Sequence, residues 1–191
     1  LLTDINNTSA CLNFIRLCIQ SNLPAVIGID FRNEHQQLYV GIAKNNDGFQ
    51  ELNTYLSYHL EHKIPFPDHA PVFENAFIIY PFHKVLELEK TRFCESEFIG
   101  ISVAALRKLP FTAYIKLKDS LVVMQTVTFR TKKDFNAHRL LRCVDLNILL
   151  SQLPESQQGS FEDKMLPVSE LKRAFEEYPF ILDNTAKLLA Q

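Results

Sequence analysis

No apolar run in the sequence approaches the roughly 20 residues that a membrane-spanning helix needs, so no span is expected. There is no Cys-x-x-Cys pair; the cysteines are Cys11, Cys18, Cys94 and Cys143. A zinc ribbon, which needs closely spaced thiolates, is set aside on that ground. Cys11 and Cys18 share a predicted helix but stand almost two turns apart, about 10 Å of rise and too far for a disulfide. Buried free thiols in a reducing cytoplasm are the expectation. Positive charge is not in excess either: the formal net charge is −2, without the basic footprint of a nucleic-acid-binding domain. The phosphate-cradling GxxxxGK[ST] and GxGxxG spacings are missing, as are an HExxH helix and a GxSxG elbow. Nor is there an internal repeat. The sequence opens on Leu with no charged-then-apolar leader, which predicts a soluble fragment of a longer protein.

What is there suits one domain, since 191 residues of which 47% are hydrophobic can bury a sizeable core. Residues 1–4 read as the end of a strand. Asn6, Asn7 and Thr8 offer caps to a helix with Leu12, Ile15 and Ile19 on its apolar face, ended by Asn22 and Pro24. Residues 25–31, AVIGIDF, make an apolar run fit for a central parallel strand. Pro65, Pro67 and Pro71 make residues 63–74 a connecting loop, and the strand-like AFIIYPF follows at once. Residues 98–101 form another short strand; Ser102 caps a helix to about residue 109, and a helical piece covers residues 113–118. LVVMQTVTF, residues 121–129, is the last clear strand. Residues 132–150 are helical, with Phe135, Leu140, Leu141, Val144 and Ile148 apolar. Residues 151–164, with Pro154 and Gly159, form an exposed loop, the best candidate for disorder. Ser169 caps a helix that Pro179 stops, and residues 180–190 form a terminal helix. Strands alternating with helices predict an α/β fold with parallel strands joined by helical crossovers. Such a pattern is compatible with an open sheet and with a barrel.

The most organised stretch is residues 38–52, LYVGIAKNNDGFQEL. A short buried strand around Leu38, Val40 and Ile42 breaks into a polar turn, and Phe49, Leu52 and Leu56 then recur at helical spacing. Asp47 followed by Gln50 reads as an N-cap with a capping box. Lys44, Asn45 and Asn46 would suit a phosphate, but without the glycine spacing a helix-capping turn is the simpler reading. His59 and His62 are three apart and have no third clustered ligand, so a solvated helix end is expected there; His35, His69 and His83 are scattered. Between Arg107 and Arg142 lie Lys108, Lys116, Lys118, Arg130, Lys132, Lys133 and Arg139, against only Asp119 and Asp134. That run is either a solvated face or a basic surface turned to DNA or to another domain, in which Lys116, Lys118, Arg130, Lys132, Lys133, Arg139 and Arg142 take part.

LLTDINN, NLPAVIGIDF, the AKN-x-x-G-aromatic-x-x-L stretch, LVVMQTVTF, NAHRLLRCVDLN and LPVSELKRAFEEYPFILDNTAKLLA stand in one order along the chain. In that order they resemble the motifs of the PHP (polymerase and histidinol phosphatase) domain of bacterial DNA polymerase III alpha subunits. The resemblance implies a distorted (β/α)7 barrel that lacks its first strand and that strand's HxH motif. It makes residues 1–191 a single PHP domain fragment, with 151–164 as its loop and 168–191 as its closing helices. An active PHP domain holds metal ions on histidines and carboxylates and hydrolyses phosphoesters. The matched ligand positions here are Asp4, Ile5, Asp30, Leu38, Thr126 and Thr128, and His138 matches a histidine of the following helix. Isoleucine and leucine offer no lone pair, and neutral hydroxyls are poor ligands, so no bound metal or other cofactor is expected in this chain. The implied role is a non-catalytic scaffold packed against the other domains of a cytoplasmic DNA-directed DNA polymerase, which meets DNA through its own domains and holds Mg in a site outside this chain. The enzyme alternatives are a metal-dependent phosphoesterase or a 3'-5' proofreading exonuclease; a third reading is an unrelated α/β binding module.

Overall fold

The structure, a computed structural model, describes residues 1–190 apart from the Ser156 side chain. Gln191, the last residue of the expected closing segment, lies outside them. Six strands form one sheet: β1 (Leu2–Ile5), β2 (Ile27–Asn33), β3 (Gln36–Ala43), β4 (Ala76–Pro81), β5 (Glu97–Ile101) and β6 (Leu121–Val123). They lie in chain order across the sheet, with β1 and β6 as its two edges. The helices are α1 (Cys11–Gln20), α2 (Asn46–His62), α3 (Phe82–Leu88), α4 (Lys132–Leu146), α5 (Val168–Ala174) and α6 (Pro179–Leu189). No helix among the described residues is long and apolar enough to cross a membrane.

The expected parallel pairing holds for β1–β2, β4–β5 and β5–β6, while β3 is antiparallel to both neighbours. Glu34 and His35 alone separate β2 from β3, with Glu34 in left-handed backbone at φ 53°. A connection that short can only reverse the chain; a parallel crossover needs a dozen residues or more. Helix α2 and the proline-rich loop after it make a round trip, because Ala43 pairs with Ala76 where the chain returns. The return passes so close that a Cβ on Gly48 would lie 1.9 Å from the Asn75 carbonyl oxygen, so that position admits only glycine.

Other boundaries shift for local reasons. Asn45, not Asp47, caps α2: its backbone is extended and its side chain accepts from the Gly48 N–H at 2.9 Å. Asp47 is already inside the first turn. Where helices are expected to about residue 109 and over residues 113–118, residues 105–120 wind into four 3₁₀ turns, and Pro110, without an N–H, stands in the second. Strand β6 stops at Val123 because β5 ends at Ile101: the Met124 N–H makes the last bond, to Ile101 O at 2.9 Å, and residues 125–128 have no ladder to extend. Helix α4 ends at Leu146, closed by Asn147 in left-handed backbone, and Ser169 lies inside α5, which begins behind Pro167. Residues 151–164 are exposed for much of their length, yet Leu153 is buried and a bridge joins Phe129 to Lys164. On α1 the buried residues are Cys11 and Cys18, whereas the expected face turns out at Leu12 and Ile19. Those two small thiols, almost two turns apart, make a narrow buried line on an otherwise open helix.

One face of the sheet carries the larger core, where Ile29, Phe31, Tyr39, Tyr80 and Ile99 meet Leu52 and Leu56 of α2 and Val85 of α3. On the other face Val40, Ile42, Phe77, Ile79 and Val122 gather with Leu188 of α6. An apolar cavity of about 200 Å³ on that side is lined by Leu1 and Ile42 as well as Val122 and Leu188. Val26, which reads as part of the central strand, lies just before β2 and is only partly buried against this smaller cluster.

The two edges are treated differently. Along β6, the Asn184 amide donates to the carbonyls of Leu121 at 2.9 Å and Lys118 at 2.8 Å. Thr185 Oγ1 accepts from the Val123 N–H at 2.8 Å and donates to Ile181 O at 2.7 Å. Helix α6 thus satisfies the edge that a seventh strand would use. Thr185→Val keeps the shape and removes the acceptor, so it is expected to destabilise the fold by about 1–3 kcal/mol in urea unfolding. A change below a few tenths would show that water satisfies Val123 equally well. On β1, the N–H groups of Leu2 and Asn6 reach β2, so the alternate backbone groups of Thr3 and Ile5 point away from it. No described strand lies beyond them.

Candidate functional site

Of the residues matched to metal ligands, Asp4, Ile5, Asp30 and Leu38 lie on the neighbouring strands β1, β2 and β3, but they do not converge. Ile5 is in register with Asp30, and Asp4 with Ile29. Side chains alternate between faces, so Ile5 shares the face of Asp30 and Asp4 takes the other. There Asp4 lies near Cys11; burial first, then the Asp4 charge, push that thiol up. Leu38 is also on the wrong side. The register slips between Phe31 and Arg32, so Tyr39 faces Phe31 and Gln37 faces Arg32, with Leu38 the extra residue between them. Leu38 is buried with Tyr39 in the larger core, and Gln37 is the residue that reaches Asp30. Thr126 and Thr128 follow β6 in irregular chain, where the Thr128 N–H donates to Asp163 O at 2.7 Å.

Asp30 is 5% exposed and heavily engaged. Its Oδ2 accepts from Arg32 Nη2 at 2.6 Å, Arg32 Nε at 3.0 Å and Gln37 Nε2 at 3.0 Å. Its Oδ1 is buried without a partner. Arg32 is held in turn by Asn6, whose amide bonds both the Arg32 N–H at 3.0 Å and the Arg32 carbonyl at 2.8 Å. Asp163 answers to the same guanidinium: burial pushes its carboxyl up, and the Ser160 N–H and the Arg32 charge pull it back. Sequence reading missed Asn6, Arg32, Gln37 and Asp163. An Asp-x-Arg pair on one strand face was the available signal for Arg32, since residues two apart share a side.

Beside this group opens a cleft of about 720 Å³, lined among others by Asn6, Arg32, His35, His59 and Lys63. His59 is buried, contrary to the expected solvated helix end. Its ring lies 4.5 Å from that of Tyr55 and 4.7 Å from that of Phe66, and Nδ1–H donates to Ile64 O at 3.1 Å. His62 is the exposed one. His138 lies elsewhere, on α4: its Nε2 accepts from the Gly159 N–H at 3.1 Å, and burial, then Arg142, lower its basicity.

The seven cations of the expected basic surface are divided. Lys116 and Lys118 precede β6, and Lys118 Nζ stands 5.7 Å from the Phe180 ring centre. The other five come after β6. Arg130 reaches Asp134 at 3.5 Å, and Arg139 lies over the Phe135 ring at 5.7 Å. Arg142 grips Gln157 at its carbonyl (3.0 Å) and side-chain oxygen (2.7 Å), and Asp145 at 2.6 Å. Lys132 and Lys133 are exposed, without an ion-pair partner among the described residues.

Fold and site together define a mixed α/β domain with an open, mostly parallel six-stranded sheet. No family model matches the chain, and no curated protein matches it. The donor set does not fit a multi-metal hydrolytic cluster. Such a cluster needs several converging oxygen and nitrogen donors, whereas here Ile5 shares the face of a carboxylate that a guanidinium already neutralises.

Proposed function

We propose that this chain is a catalytically silent PHP-type domain that scaffolds the other domains of a bacterial polymerase III alpha-type DNA polymerase, its sheet an incomplete barrel. The observation that carries the reading is Arg32 on Asp30, a fixed protein cation where the resembled site would need an exchangeable one. The bare edge of β1 agrees with a barrel that lacks a strand on that side.

The phosphoesterase or proofreading exonuclease reading has one observation in its favour, the unpartnered Asp30 Oδ1 near an open cleft. The two readings separate on one experiment. The purified chain is expected to hold fewer than two metal ions in elemental analysis. With added Mn²⁺, Mg²⁺ or Zn²⁺ it is expected to release nothing from p-nitrophenyl phosphate or single-stranded DNA. Asp30→Ala is expected to leave polymerisation by the parent protein nearly unchanged. Metal-dependent hydrolysis that disappears in Asp30→Ala would overturn the scaffold.

A further inference from the structure

Helix α4 is turned inside out. Its sequence predicts that Leu140, Leu141 and Val144 seek a core, yet they are 56%, 69% and 78% exposed. The inward positions are Phe135, His138, Arg139, Arg142 and Cys143, spaced three and four apart. Most are satisfied locally: Phe135 packs on Phe129 and Phe161 at 5.3 and 5.4 Å, His138 takes the Gly159 N–H, and Arg142 takes Gln157, while Arg139 lies over the Phe135 ring with its Nε buried and unpartnered. The loop of residues 151–164 is therefore what fixes the orientation of α4, and it does so by gripping polar side chains. A helix whose polar side is held and whose leucines face water is a helix presenting its leucines.

We propose that the outer face of α4 docks an amphipathic helix with an acidic first turn, contributed by a partner chain. Ala137, Leu140 and Val144 recur at three-four spacing as a seam, with Leu141 beside it, which is the pattern that receives another helix. Lys132 and Lys133 supply the charge. They sit in the first turn of α4, where the helix dipole disfavours cations, and no described acid pairs with them. Carboxylates in a partner's own first turn are favoured by that partner's dipole, so a parallel partner brings them to these lysines at no penalty. A second copy does not fit: antiparallel self-pairing would bring Leu149 and Ile148 to the lysines, and the nearby Asp145 is already bound by Arg142. Nucleic acid would use the lysines and leave the leucines wet. Anionic membrane is the closest rival in chemistry, but interfacial helices carry aromatic residues on the apolar face, and this face has only Ala, Leu and Val. The face exists whether or not the chain has the proposed scaffold role.

The test uses the full chain and a fluorescently labelled designed peptide, helical, with Leu at three-four spacing and Glu-Glu in its first turn. Saturable binding is expected by anisotropy, weakened about tenfold or more by Leu140→Glu or Val144→Glu, with the far-UV spectrum and melting temperature unchanged. The Lys132→Glu/Lys133→Glu protein is expected to lose about threefold for this peptide and to prefer a Lys-Lys version of it. No binding up to about 100 μM, equal binding of a scrambled peptide, or failure of the charge swap would overturn the proposal. So would Leu140-dependent binding to phosphatidylserine–phosphatidylcholine vesicles, or Lys132-dependent binding to duplex DNA, in the absence of peptide binding.

Discussion

Between about pH 10 and 12 the protein is expected to lose about 5 kcal/mol of stability, enough to unfold many domains. Tyr39 and Tyr80 are fully buried. Burial, then the bond to the Tyr55 hydroxyl at 3.0 Å, push the Tyr39 phenol far above its ordinary value. Burial also dominates at Tyr80; the Ala70 N–H pulls the other way and Glu97 adds to the rise. In the unfolded chain both phenols ionise near pH 10, while in the folded one they stay neutral. Their contribution is whole below pH 10 and is lost above it, at about 1.4 kcal/mol per phenol per pH unit. Lys84 works in the same window. Its burial lowers the pKa, but bonds to Asp68 at 2.8 Å and Glu87 at 3.0 Å outweigh that and raise it. Tyrosinate absorbance and far-UV circular dichroism should therefore change together in one cooperative step. If both buried phenols titrate while the helical signal is intact, the explanation is wrong.

Arg32→Ala is expected to destabilise the fold by about 3–5 kcal/mol, because it leaves the buried Asp30 carboxylate with Gln37 alone. The double variant Asp30→Asn/Arg32→Met should recover most of that loss, since no bare charge stays behind. Urea unfolding of the two variants and the wild type measures the difference directly. A single-variant loss below about 1 kcal/mol would mean that water already reaches Asp30 and that its pairing is a surface matter.

Much of the fold was legible because residue types and periodicity carry it. AVIGIDF runs into strand β2, AFIIYP is strand β4, and the Phe49, Leu52 and Leu56 spacing is α2. What could not be read is set between segments. Strand β3 is reversed because two residues connect it to β2, and the register slip at Leu38 depends on how that hairpin closes. The slip matters most for the site, since it exchanges Leu38 for Gln37 beside Asp30. The burial of His59 needed the Phe66 loop to fold over it, and the inversion of α4 needed Gln157 and Gly159 to hold its polar side. Leucine spacing alone predicts the opposite face. The run of lysines and arginines reads as a solvated face or as a basic surface, and although the strand at residues 121–129 is legible within it, the ion-pair and aromatic partners of Arg130, Arg139 and Arg142 are not.

The asymmetry of the sheet edges limits how molecules can stick together. A fibre built by strand addition consumes two open edges per molecule, one for the chain above and one for the chain below. Here α6 occupies one of them through Asn184 and Thr185. Two molecules meeting at β1 would therefore exhaust their pairing capacity in a single encounter. Crowding should yield pairs that terminate rather than growing stacks, and Thr185→Val, by loosening the blocked edge, is the change that would turn a chain-ender into a link.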